Sequence, residues 1–213
     1  MSFVIRIVIT SILGFVVSYL SKKLIPVILN KRNRVINITK NEDNILSIIG
    51  WVIGGLIGFK YDGLAMISYT LLLLGLSIMI GVIDFHERII PNELWQSIII
   101  LKLIYCIPSL FGIKGFETLN LLESIIGYVV LFIIFLTPSL FKKNVGAGDI
   151  KLAAAIGFSF GIYNALCAVI FMGLMIIAYT TIKKDVPFLK TLESMIPMGP
   201  FIVSGMMGVL LFI

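Results

Sequence analysis

Two aspartates stand at the edges of apolar runs, where carboxylates are expensive. Asp84 closes "LLLLGLSIMIGVID", and Asp149, preceded by "KKNVGAG", opens "IKLAAAIG". A carboxylate at the boundary of a low-dielectric region is by default a candidate functional group. Two such groups brought together cannot both ionise freely, so the pair holds one proton between them. One carboxylate can then draw a proton from water while the other donates to a carbonyl oxygen. That is the acid–base machinery of peptide-bond hydrolysis.

Their neighbours are open to plainer readings. Gly146 and Gly148 flank an alanine before Asp149. Glycines there admit backbone conformations other residues resist and let a peptide chain come close. They would also set Asp149 near a helix N-terminus, where a carboxylate is favoured and could be a simple N-cap. Asp84 could belong to a polar patch with His86, Glu87 and Arg88. His86 is the only histidine, which excludes a multi-histidine metal site, and it reads as a solvated loop residue. Pro91 and Asn92 read as a turn before the next helix. Cys106 and Cys167 lie in apolar stretches without a CxxC pair, so neither zinc nor a disulfide framework is supported.

The elements that must position these groups follow from composition. Of 213 residues, 59% are hydrophobic and 13% charged, and mean hydropathy is +1.10. Apolar runs recur at 3–20, 44–59, 64–83, 94–111, 119–140, 150–161, 162–182 and 195–213. About 20 apolar residues cross a bilayer as a helix. The fold class expected is all-α, a polytopic membrane helix bundle of about eight transmembrane segments. The run 150–182 is too long for one pass, and "GFSFGIYN" predicts a reversal at Gly161–Asn164. The N-terminal run continues to Leu20 without a small-x-small cleavage site and reads as a permanent span.

The formal charge of +6 sits in short clusters between apolar runs, as cytoplasmic flanks do, which argues against a nucleic-acid partner. The basic loop 21–43 is expected in the cytoplasm, followed by the loops with Arg88, Lys142–Lys143 and Lys183–Lys184. The opposite loops hold only Lys60 with Asp62, and Lys114 with Glu117. This topology puts Asp84 and Asp149 at cytoplasmic helix ends of one membrane-embedded domain, 1–213.

Three segments together carry a resemblance. "GVIDFHERIIPNELW" resembles the first active-site segment of type IV prepilin peptidases, an aspartate followed by Ile-Pro-Asn. "GAGDIKLAAAIG" is similar to that family's GxGD segment, with a lysine two positions after the aspartate. "IPMGPFIVSG" resembles its C-terminal Ile-Pro-x-Gly-Pro stretch. The resemblance implies a catalytic dyad of Asp84 and Asp149, with Gly146, Gly148, Lys151, Pro91, Asn92, Pro197, Gly199 and Pro200 supporting the site or binding substrate. Lys151 reads equally as a lysine snorkelling to headgroups, and Pro197, Gly199 and Pro200 as a break that starts the last helix.

The resemblance further implies a multi-pass cytoplasmic-membrane endopeptidase needing no cofactor or metal. Its partners would be membrane lipid and a prepilin or pseudopilin precursor with a basic leader, a glycine before the cut and an apolar helix after it. The 21–43 loop lacks the paired cysteines associated with N-methylation in bifunctional members, which speaks against methyl transfer from S-adenosylmethionine. Two rival readings remain: a proton-coupled transporter using the same aspartates, and a presenilin-like intramembrane protease, whose tyrosine-aspartate is here Ile83–Asp84. The number of copies that assemble, and so a homo-oligomer, is left open.

Overall fold

The structure, a computed structural model, describes residues 2–113, 115–116, 120–140, 146–182 and 197–213. The basic pairs Lys142–Lys143 and Lys183–Lys184, and the loop residues Lys114 and Glu117, lie outside the described residues. All regular structure described is helical: α1 Phe3–Asn30, α2 Lys40–Lys60, α3 Leu64–Glu87, α4 Asn92–Leu110, α5 Leu121–Leu140, α6 Ala147–Ile182 and α7 Gly199–Phe212. By length and composition α1 to α6 can each cross a membrane, and α7 is a shorter apolar helix. The polytopic helical bundle expected from hydropathy is what forms.

By their contacts the residues fall into two compact units. The first holds residues 1–79 and 96–120. Its α1 meets α2 through small residues, because without a hydrophobic drive in lipid only close backbone approach supplies dispersion contact. Gly14 lies against Gly50 and Gly54, and a methyl at Gly50 would meet Ser18 Cβ at 2.6 Å. Ser18 Oγ donates to the Leu46 carbonyl at 2.8 Å, and Arg6 Nε to the Gly58 carbonyl at 2.7 Å. The N-terminus of α2 is held by a capping box, Thr39 with Glu42, an S/T-x-x-E signature. Tyr69 of α3 stacks on Tyr105 of α4 at 4.4 Å between ring centroids.

One expectation is corrected here. The stretch 21–43 is not all loop, because α1 continues to Asn30 and α2 begins at Lys40. Ile25 and Leu29 are fully buried, and that packing holds the extension helical. Lys22 turns inward, donating to Ser47 Oγ at 2.7 Å and to the Asp43 carbonyl at 3.1 Å, and pairs with the Asp43 carboxylate. Lys22→Met should therefore weaken the α1–α2 pair by about 1–3 kcal/mol, the scale of hydrogen bonds to a charged group. The check is an unfolding titration in detergent.

The second unit holds residues 80–95 and 121–213. Within it α6 is broken at Gly161, where φ is 71° and ψ 174°. In an unbroken helix Ala153 and Met172 would stand about 28 Å apart, at 1.5 Å per residue. They line one small apolar void with Leu131 of α5 and Ile202 of α7, so the chain doubles back at Gly161. With α6 counted as two arms, the described residues hold eight helical segments, and six of the helices are long and apolar enough to cross a membrane.

The first arm packs antiparallel to α5, with Gly127 against Gly157 and Gly161. The second packs antiparallel to α7, with Tyr179 on Phe201, Gly205 against Met172, and Gly208 against Phe171. Both ends of α6 thus come to the end of the unit where α7 begins. Gly161→Ala should lower stability by about 1–3 kcal/mol, because its φ of 71° with ψ of 174° is open essentially only to glycine. A methyl there would also meet the Glu123 side chain at 2.8–3.0 Å. A melting curve of the purified variant tests this.

Candidate active site

Three helix ends of the second unit converge: the last turn of α3, the first turn of α6 and the first residue of α7. Helix α3 brings Asp84, which is only 4% exposed despite its charge. Its register follows from the buried neighbours Ile80 and Ile83, which fix the face. The helix then stops within a turn. The Arg88 N–H donates to the Asp84 carbonyl at 2.9 Å, and Arg88 itself takes a left-handed φ of 53°. Arg88 is also near enough to Asp84 for their charges to interact.

Helix α6 brings Asp149 on its first turn. The Asp149 N–H donates to the Gly146 carbonyl at 3.0 Å, which starts the helix. Its carboxyl is near enough to that of Asp84 for the two charges to interact. Asp149 Oδ1 is buried and has no hydrogen-bond partner among the described residues. Helix α7 meets Asp84 through its backbone: the Gly199 N–H donates to Asp84 Oδ2 at 2.7 Å. A methyl on Gly199 would lie 2.8 Å from Asp84 Cβ and Oδ2, so only glycine fits there.

The glycines of "GAGD" serve close approach rather than special backbone conformation. Neither is among the described glycines with positive φ. A methyl on Gly148 would sit 3.0 Å from Ile90 Cβ, and one on Gly146 2.8 Å from Asp149 Oδ2. Gly148 therefore lets the α3–α4 connection lie against the start of α6, and Gly146 leaves room for the carboxylate.

The remaining sequence candidates divide. Pro200 sits at the start of α7, where a missing N–H costs no helical bond. Pro197 precedes that helix and is half-buried. Pro91 is buried and Asn92 exposed, its Oδ1 accepting from Trp95 Nε1 at 3.1 Å, so Asn92 serves its own helix. Lys151 is exposed, two residues from Asp149 and so off its face. His86 is exposed on the last turn of α3, edge-on to Phe85, rather than in a loop. Among the described residues no three His, Cys, Asp or Glu side chains gather to hold a metal ion.

Sequence reasoning missed the Gly199 amide, since it treated that stretch as a break. A glycine directly before a proline at a helix start was the available signal.

Residues 71–181, more than half of the chain, match the type IV leader peptidase family. The chain belongs to that family. Both aspartates of this leader peptidase fall inside the matched region, while Gly199 falls beyond it. No curated protein and no solved structure matches the chain. The family makes it a protease, and the six long apolar helices make this leader peptidase a multi-pass membrane protein.

Proposed function

We propose that this leader peptidase is an aspartic endopeptidase that removes the basic leader of prepilin-like precursors at the cytoplasmic face of the cell membrane. The observation that supports it most is the convergence of Asp84 and Asp149, from separate helix ends, within reach of each other's charge. In the proposed reaction one aspartate is ionised and takes a proton from water as its oxygen attacks the scissile carbonyl carbon. The other is protonated and gives its proton to the carbonyl oxygen. Collapse of the resulting diol breaks the C–N bond, and the first aspartate returns its proton to the leaving amine. A diol hydroxyl returns a proton to the second aspartate, which regenerates the dyad.

Substrate class follows from the setting. A precursor whose apolar helix lies in the bilayer would present its leader junction where the helix ends hold the aspartates. The basic segment with Lys31, Arg32, Arg34 and Lys40 supports a cytoplasmic rim by the positive-inside rule. The many large apolar side chains exposed along α1, among them Phe3, Val8, Leu13 and Phe15, suit contact with lipid. On this reading 1–213 acts as one membrane-embedded domain.

The deciding experiment incubates the purified enzyme in lipid vesicles with precursors carrying a basic leader, a glycine at the junction and an apolar helix. Leader removal by mass spectrometry is the expected result. Intact precursor at every ratio of enzyme to substrate would sink the proposal, as would cleavage elsewhere than at that glycine.

A further inference from the structure

The two aspartates are not equivalent in their surroundings, and the difference comes from α7. Helix N-termini leave N–H groups without helical partners. In α7 Pro200 has none to offer, and the Phe201 and Ile202 N–H groups both turn back to the Met198 carbonyl. The Gly199 N–H points instead at Asp84 Oδ2, at 2.7 Å and fully buried. A donor at the positive end of a helix favours the charged form of the carboxylate that it meets. Asp149 also takes a backbone N–H, that of Gly146, but only part of its carboxyl is served. Its Oδ1 is buried with no partner among the described residues, a position that suits a carboxylic acid and penalises an anion.

We propose that the main-chain amide of Gly199 is a positioning group of the dyad, holding Asp84 as the water-activating carboxylate and leaving Asp149 as the proton donor. This rests on the dyad reading above and adds the direction in which protons move. Asp84 Oδ2 is tied to the amide, which leaves Oδ1 to take the proton of the attacking water. Water loses a proton to Asp84 as its oxygen bonds to the scissile carbon, and the carbonyl oxygen takes the proton of Asp149. When the C–N bond breaks, Asp84 protonates the amine and a diol hydroxyl returns its proton to Asp149. Gly199 takes no part in bond making; it keeps the base ionised and in register.

Among the described residues, the charged groups that act on Asp84 are Arg88 from its own helix end and Asp149 from α6. Helix α7 contributes no titratable side chain, so its influence on Asp84 can be removed without deleting a charge. Replacing residue 199 by glycolic acid during cell-free synthesis into vesicles exchanges the N–H for an ester oxygen and adds no methyl. The expected result is a kcat/KM lower by about tenfold or more, the scale of a hydrogen bond to a charged group. The acid limb of the pH–rate profile should move up by about one pH unit, because the ionised base has lost a donor.

Gly205→Ala serves as the control for mere packing. It lies on the same helix against the Ala168 carbonyl and Met172, away from the aspartates. It should lower stability and leave the acid limb in place. An ester variant with full activity, or one slowed with an unmoved acid limb, overturns the positioning role. So does a shifted limb in Gly205→Ala. Cleavage persisting in Asp84→Asn or Asp149→Asn would instead bring down the dyad itself, so the two failures are distinguishable.

Discussion

Asp84→Asn and Asp149→Asn are each expected to abolish leader removal while the protein still inserts, folds and binds precursor. General acid–base catalysis by one positioned group contributes about 10²–10⁴-fold, and groups that act as a unit fail together rather than additively. The double variant should therefore be little slower than either single one. Asparagine keeps the size of the side chain and can still accept from the Gly199 N–H, so the α3–α7 junction at 2.7 Å survives. Melting temperature and protease resistance in vesicles should stay near wild type. Single variants that cleave at more than a few per cent of the wild-type rate would refute the shared-proton mechanism.

The second large effect is mechanical. Gly157→Val puts a side chain into the crossing of α5 with the first arm of α6. A methyl alone at that position would lie 2.6 Å from the Gly127 carbonyl carbon and 3.1 Å from the Tyr128 nitrogen. Neither neighbour is a flexible side chain that can swing away, so the helices must part. Overpacking typically costs about 1–3 kcal/mol, and backbone neighbours place this case at the upper end. The first arm also carries Asp149 at its start, so the displacement reaches the dyad. A shift of about 1 Å in a catalytic group can lower the rate ~10²-fold. Cleavage should fall more steeply than the melting temperature, with KM little changed, when both are measured on the same preparation.

Much of this arrangement could be read from residue types. Spans were legible because lipid demands long apolar helices, and Gly161 was legible as a reversal because 150–182 is too long for one pass. The aspartates were legible because carboxylates at span ends are rare. What escaped was everything that depends on distance between segments. Lys22 was read as a loop lysine because nothing local reveals that Asp43 neutralises it and Ser47 accepts from it on the facing helix. Gly199 was grouped with Pro197 and Pro200 as a helix break that supports the site, but its N–H went unnamed because a backbone amide leaves no trace in a motif of side chains. Lys102, buried within α4, lay unremarked inside an apolar run. Gly148 was read for backbone freedom and for the approach of a peptide chain, but not for the Ile90 side chain that it makes room for.

The hydrogen bond between Gly199 and Asp84 joins positions 115 residues apart. During translation both acidic groups leave the ribosome well before the helix that orders one of them. On the dyad reading, a nascent chain halted after α6 would hold both aspartates without the amide that orders Asp84. Such a shortened chain should cleave precursor more slowly than the whole protein, because residue 199 is not yet in place.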